Sequence, residues 1–182
     1  MIPSVLDVFV LSLLDRGLET PYDLHRQGGL SLGASTPALQ RLVKAGLIER
    51  AEGEPARNRP RHEYRLTPSG KQSARSVWKQ FLDDAPPSDL DSLLRVVDMA
   101  AHYRADKRKI FSFLSRAIAR KSQLAQHAGL SFSATQKGDR ASYTAMRLHC
   151  DSTRLLAEAD TLAKISGQFR TKGVVAGQQS LM

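Results

Sequence analysis

A chain of 182 residues with 41% hydrophobic and 25% charged residues can form one domain or two small ones around a buried core. Aromatics make up only 6%, so Leu, Ile, Val and Ala must fill that core, which favours helices and argues against an all-β fold. Lys and Arg number 27 against 18 Asp and Glu, a net charge of +9 that favours a polyanionic partner, and the single cysteine, Cys150, excludes an intrachain disulfide or a multi-cysteine metal site. The apolar stretch Val8 to Leu14 is broken by Ser12 and bounded by Asp7 and Asp15. It is far short of the roughly 20 residues of a membrane span, and no cationic segment precedes it as in a signal peptide. A cytoplasmic protein with no membrane partner is expected, in keeping with its sparing use of cysteine.

Ser4 caps a first helix whose Leu6, Phe9, Val10, Leu13 and Leu14 follow three-four spacing up to Gly17, predicting one buried face. Thr20-Pro21 supplies an N-cap and a first-turn proline for a short helix through Tyr22 and Leu24, closed by Gly28-Gly29. Ser31 caps a third helix, with Ala34, Leu39, Leu42 and Val43 facing inward and Gly46 just past its end. Pro37 lacks an N–H and crowds the carbonyl four residues back, so an irregular N-terminal end is expected there. Leu47 to Ala51 and His62 to Leu66 alternate as short strands around a basic loop, Glu52 to Arg61, which predicts a hairpin. Thr67-Pro68 repeats the capping device for a fourth helix with Ala74, Val77, Trp78, Phe81 and Leu82 inward.

Three short helices, a hairpin and a following helix describe a winged helix-turn-helix, in which the third helix can enter a DNA major groove with the hairpin beside it. On that helix Ser35, Thr36, Gln40, Arg41 and Lys44 lie largely off the Leu39-Leu42-Val43 face. Gln can pair with adenine and Arg with guanine, while Ser and Thr accept several partners, so the face can read sequence, although a merely soluble face has the same composition. Arg57, Arg59, Arg61 and Arg65 crowd the hairpin with only Glu63 opposing them. They suit phosphate neutralisation or insertion of an arginine into a narrow minor groove, and equally a solvated basic hairpin. The expected DNA contacts are Ser35, Thr36, Gln40, Arg41, Lys44, Arg57, Arg59 and Arg61.

The run Leu30-Ser31-Leu32-Gly33-Ala34-Ser35-Thr36-Pro37-Ala38-Leu39-Gln40-Arg41-Leu42-Val43-Lys44-Ala45-Gly46-Leu47-Ile48-Glu49 resembles the recognition-helix signature of PadR-like transcriptional regulators. Arg61-His62-Glu63-Tyr64-Arg65-Leu66-Thr67-Pro68-Ser69-Gly70 is similar to that family's wing strand and Leu-Thr-x-x-Gly turn, a piece shared with MarR-like regulators, and Pro21-Tyr22-Asp23-Leu24 resembles the start of its second helix. The likeness covers roughly the first 80 residues. One departure is Thr36, where the family usually carries an aromatic before the proline. The resemblance implies double-stranded DNA as partner and pairing of two chains through C-terminal helices.

Asp83-Asp84-Ala85-Pro86-Pro87-Ser88 interrupts the helical pattern and marks a boundary. Ser88 and Asp91 form a capping box for a helix carrying Leu90, Leu93, Leu94, Val97 and Ala101, and Asp106 begins another with Ile110, Phe113, Leu114, Ala117, Ile118 and Leu124 before Gly129. Then Ala145, Leu148, Ser152, Leu155, Ala159, Leu162, Ser166 and Phe169 recur at intervals of three and four. A helix from Arg140 to Phe169 would be about 45 Å long. Its seam fits packing on the two preceding helices of the same chain as well as a homodimer contact through Leu148, Leu155, Leu162 and Phe169. The expected architecture is mainly α: a winged helix-turn-helix with a two-stranded wing at 1–84, a helical dimerisation domain at 88–170, and a disordered tail at 171–182.

No catalytic constellation emerges. Ser76 and Lys79 match S-x-x-K without its companion motifs, His149-Cys150-Asp151 diverge around a helix, and there is no H-E-x-x-H, G-x-G-x-x-G or P-loop. His25, His62, His102 and His127 are scattered singly, and Trp78, Tyr103 and Phe113 read as core before they read as an effector pocket. The sequence therefore predicts a non-enzymatic, cofactor-free regulator, a homodimeric repressor on a palindromic operator released by an effector or partner. The rival is a winged helix that docks proteins, distinguished by showing no salt-dependent DNA binding.

Overall fold

The structure, a computed structural model, describes residues 3–56, 59–135 and 143–170, with the backbone alone at 52–56, 59–61, 134 and 135. The expected tail at 171–182 lies outside the described residues. Two compact units are present, Met1–Asp84 with Leu94–Tyr103, and Ala85–Leu93 with Arg104–Met182.

In the first unit Ser4 and Asp7 form a capping box at the start of α1 (Val5–Asp15): the Asp7 N–H donates to Ser4 Oγ at 3.1 Å and the Ser4 N–H to Asp7 Oδ2 at 3.3 Å. Val8, Phe9, Val10, Leu11, Leu13 and Leu14 are all buried, so α1 is enclosed on nearly every side where periodicity predicted one buried face. The helix α2 (Pro21–Arg26) starts at Thr20, whose Oγ1 accepts from the Asp23 N–H at 3.1 Å. Ser31 caps α3 (Leu32–Lys44), accepting from the Ala34 N–H at 3.2 Å.

The third helix runs through Pro37 without a break, correcting the expected irregular start. The hydrogen bond that proline cannot donate would have gone to Gly33, whose exposed carbonyl water can serve. The inward row is Ser35, Ala38, Leu39 and Leu42, and Val43 stands exposed, so the buried face is turned from the one expected. Gly46, with φ of 67°, ends the helix in the left-handed conformation that glycine adopts freely.

The wing pairs β1 (Ile48–Ala56) antiparallel with β2 (Arg59–Leu66), in a register that runs from Ile48 opposite Leu66 to Gly53 opposite Arg61 and shifts before Ala56. Most of the expected basic loop is thus strand. The Tyr64 N–H donates to the Glu19 carbonyl at 2.8 Å, and Thr67 Oγ1 donates to the Gly46 carbonyl at 2.8 Å, tying the hairpin's base to the residues before α2 and after α3. At Gly70 a Cβ would fall 1.8 Å from the Leu47 carbonyl oxygen, which is the physical reason for glycine in the Leu-Thr-x-x-Gly turn.

The expected fourth helix is divided into α4 (Pro68–Ser76) and α5 (Trp78–Asp83). At the division the Trp78 indole N–H donates to the Arg75 carbonyl at 3.1 Å, taking up an acceptor that a continuous helix would offer to the Lys79 N–H. The next helix, α6 (Leu90–His102), begins at Asp89, which accepts from the Ser92 N–H at 2.7 Å in place of the expected Ser88-Asp91 box. Its later turns belong to the first unit, where Asp98 meets Arg16 at 2.5 Å and the Tyr103 hydroxyl donates to Asp15 Oδ2 at 3.2 Å. Arg75 also donates to Asp15, and Trp78 stacks on Tyr103 with centroids 5.7 Å apart. Burial, reinforced by the Asp15 carboxylate, pushes the Tyr103 phenol far above its ordinary range.

The second unit contains the hairpin of α7 (Lys107–Thr135) and α8 (Tyr143–Gly167). Gly129, expected to end the first of these helices, sits inside it, where a Cβ would stand 3.6 Å from Ser152 Oγ of the second. Ser152 Oγ donates to the Ala125 carbonyl at 3.0 Å, and the buried Lys121 ammonium is paired with Glu158 and donates to the Ser88 carbonyl at 2.8 Å. These bonds satisfy a buried charge that could not stand alone.

Candidate nucleic-acid interface

Leu32, Thr36, Gln40 and Lys44 follow one another at four-residue steps along α3, and all four are exposed. Each step turns the helix by about 40°, so they form one gently winding row. None of their side chains makes a hydrogen bond or ion pair with another described residue. Thr36 and Gln40 therefore present unspent donors and acceptors and Lys44 an unspent charge, the chemistry needed to meet base edges and phosphates.

Two other expected readers on this helix are placed differently. Ser35 is fully buried and donates to the Leu32 carbonyl at 3.4 Å, which corrects its expected exposure: it falls on the Ala38-Leu42 side of the helix. Arg41 is exposed along its stem, yet its guanidinium is held by Asp7, with Nη2 2.6 Å and Nε 3.2 Å from Oδ1. It joins the third helix to the capping turn of the first.

The backbone of Arg59 and Arg61 lies on β2, opposite Ala56 and Gly53, and Arg57 lies outside the described residues. Lower on the wing, Arg50 Nη2 is 2.8 Å from His62 Nδ1 on the neighbouring strand, and Arg65 is engaged by Glu63 at 3.3 Å and Glu19 at 3.9 Å. Arg65 thus has its charge balanced locally.

Sequence reasoning passed over Leu32 and Tyr22, the exposed residues of the first turns of α3 and α2. The available signal was, for Leu32, an apolar residue directly after the N-cap Ser31 and off the inward row. Of the expected dimer residues, Leu162 is fully buried within its own hairpin, while Leu148, Leu155 and Phe169 are half-buried. The position of Leu162 agrees with the intramolecular alternative at that residue, because α8 lies along α7 of the same chain. Among the described residues no group of three or more His, Cys, Asp or Glu could hold a metal ion, and no helix is long and apolar enough to cross a membrane.

Residues 11–76 match the transcriptional regulator PadR-like family. Among solved structures, the crystal structure of Bacillus subtilis PadR in complex with operator DNA is similar over 92% of this chain and 100% of that one, with 17% identity and a TM-score of 0.37. None of the curated proteins matches the sequence significantly.

Proposed function

We propose that this chain, whose residues 11–76 match the PadR-like transcriptional regulator family, is a sequence-specific DNA-binding repressor acting as a homodimer on a palindromic operator. The observation that carries the reading is the row Thr36, Gln40 and Lys44 on the exposed side of a capped helix, without side-chain partners among the described residues. Gln40 offers paired donor and acceptor atoms to adenine, Thr36 lies nearer the helix start, and Lys44 meets a phosphate. Ser35 supports that face from within, and Arg41 fixes its pitch through Asp7. Arg57, Arg59 and Arg61 supply phosphate or minor-groove contacts from the wing.

In this reading residues 1–84 bind DNA and residues 88–170 pair the subunits, with Leu148, Leu155 and Phe169 meeting the partner chain and Leu162 supporting them from inside the hairpin. Repression follows from occupying the promoter, in the cytoplasm. An effector or partner releases the operator by shifting the two recognition helices away from the roughly 34 to 36 Å spacing of successive major grooves. Selection of duplexes from a random DNA pool by the full chain tests the proposal: enrichment of a two-fold symmetric site is expected, and failure to enrich any sequence would overturn it.

A further inference from the structure

Leu32 is the first residue of α3 and is 56% exposed. Its position is fixed, since Ser31 caps the turn and the Leu32 carbonyl accepts from Ser35 Oγ. Its side chain does no packing comparable to that of Ala38, Leu39 and Leu42, the apolar residues that hold the helix to the core. Next to it stands Gly33, a poor helix former, at a place where an added Cβ would meet nothing within 4 Å. No neighbour among the described residues requires a glycine there. An exposed leucine beside a residue without a side chain, at the leading end of the helix, makes an apolar surface that a flat partner can approach closely.

We propose that Leu32, with the methyl group of Thr36 one turn later, reads the C5-methyl of thymine in the major groove. The inference rests on the reading above, that the exposed row of this helix faces the base edges of the major groove. Thymine alone among the four bases carries an apolar group on its major-groove edge, and an aliphatic side chain recognises it by removing both surfaces from water. Gly33 lets the helix end come near enough for a contact of van der Waals length. Gln40, one turn beyond Thr36 and about 6 Å further along the helix, then meets an adenine elsewhere in the half-site, so the preferred half-site combines thymine and adenine.

Deoxyuridine differs from thymidine only in lacking this methyl. The duplex most enriched from the random pool is resynthesised with each thymine replaced singly by deoxyuridine and titrated with the full-length protein. At one or two positions of each half-site the replacement should weaken binding about fourfold, as expected for removing one buried methyl group. Leu32→Ala should lose most of the difference between thymine and uracil duplexes at those positions, keeping only the share of the Thr36 methyl, with an unchanged unfolding midpoint, and Leu32→Met should restore it. A selected site without thymine, tolerance of deoxyuridine at every position, or a Leu32→Ala protein that keeps the full discrimination would each overturn the inference while leaving DNA binding intact. A wild-type protein that binds no duplex would overturn the functional reading and this inference with it.

Discussion

Arg41 and Asp7, 34 positions apart in the chain, are joined by a guanidinium–carboxylate contact of 2.6 Å that ties the exposed side of α3 to the first turn of α1. Asp7 is buried and already spends one oxygen on the Ser4 N–H, so Arg41 neutralises a carboxylate with little access to water. A residue with the composition of a base reader thus joins α3 to the capping turn of α1.

Arg41→Ala should therefore destabilise the first unit by about 1 to 2 kcal/mol, the lower part of the range for hydrogen bonds to charged groups because the arginine itself is half exposed. Gln40→Ala, which breaks no bond between described residues, should leave the urea midpoint nearly unchanged. Adding Asp7→Asn to Arg41→Ala should cost less than the sum of the two single changes. Equal midpoints for wild type and Arg41→Ala would remove the clamp.

The backbone of Arg59 and Arg61 lies on β2 near the far end of the wing. If they meet phosphates, replacing both by Ala should weaken binding to operator and to unrelated DNA alike. The slope of log K against log salt should fall by about 0.9 for each phosphate that is no longer neutralised. Anisotropy titrations at several salt concentrations measure it, and an unchanged slope in a folded protein would exclude the wing from the interface. A larger loss of affinity on A·T-rich flanks would indicate an arginine within the narrow minor groove.

The hairpin of the second unit separates folding from pairing. Leu162 is fully buried, so Leu162→Ala should cost about 2 to 5 kcal/mol of stability. Half-buried Leu155 lies on the same side of α8, and Leu155→Asp should give folded monomers by light scattering and circular dichroism if that surface also meets a partner chain. A folded dimeric variant would take Leu155 out of the pairing surface.

Tyr103 adds a dependence on alkaline pH. Its phenol is raised by burial and by Asp15, so the folded chain keeps a proton that the unfolded chain releases near the ordinary value of about 10. The resulting stability is complete below about pH 10 and is lost as pH rises beyond it. In urea titrations the advantage of wild type over Tyr103→Phe should shrink between about pH 9 and 11. A constant difference would contradict the assignment.

The helix starts were legible because capping is local: Ser4, Thr20, Ser31 and Thr67 each accept an N–H from three residues ahead. Pro37 was misjudged because the consequence of a missing N–H depends on whether the orphaned carbonyl is wet, a matter of tertiary position. The surrounding of α1 on nearly all sides and the Arg41–Asp7 contact are likewise non-local, and spacing along one helix cannot report them. The wing strands ran longer than their alternation suggested because pairing extends through a register shift near Gly53 that hydrophobic patterning does not encode. At the candidate site, composition identified Thr36, Gln40 and Lys44, but only burial could separate them from Ser35 and bring forward Leu32.

The most direct measurement is a salt titration of full-length protein on the selected duplex and on a shuffled one of equal length. A base-reading row on α3 predicts binding to both that falls linearly in log K against log salt. It also predicts a preference of at least about a thousandfold for the selected duplex at physiological salt. Gln40→Ala should erode that preference by about 1 to 3 kcal/mol while leaving the shuffled duplex unaffected. Salt-independent binding, or equal affinity of the wild type for the two duplexes, would contradict the account.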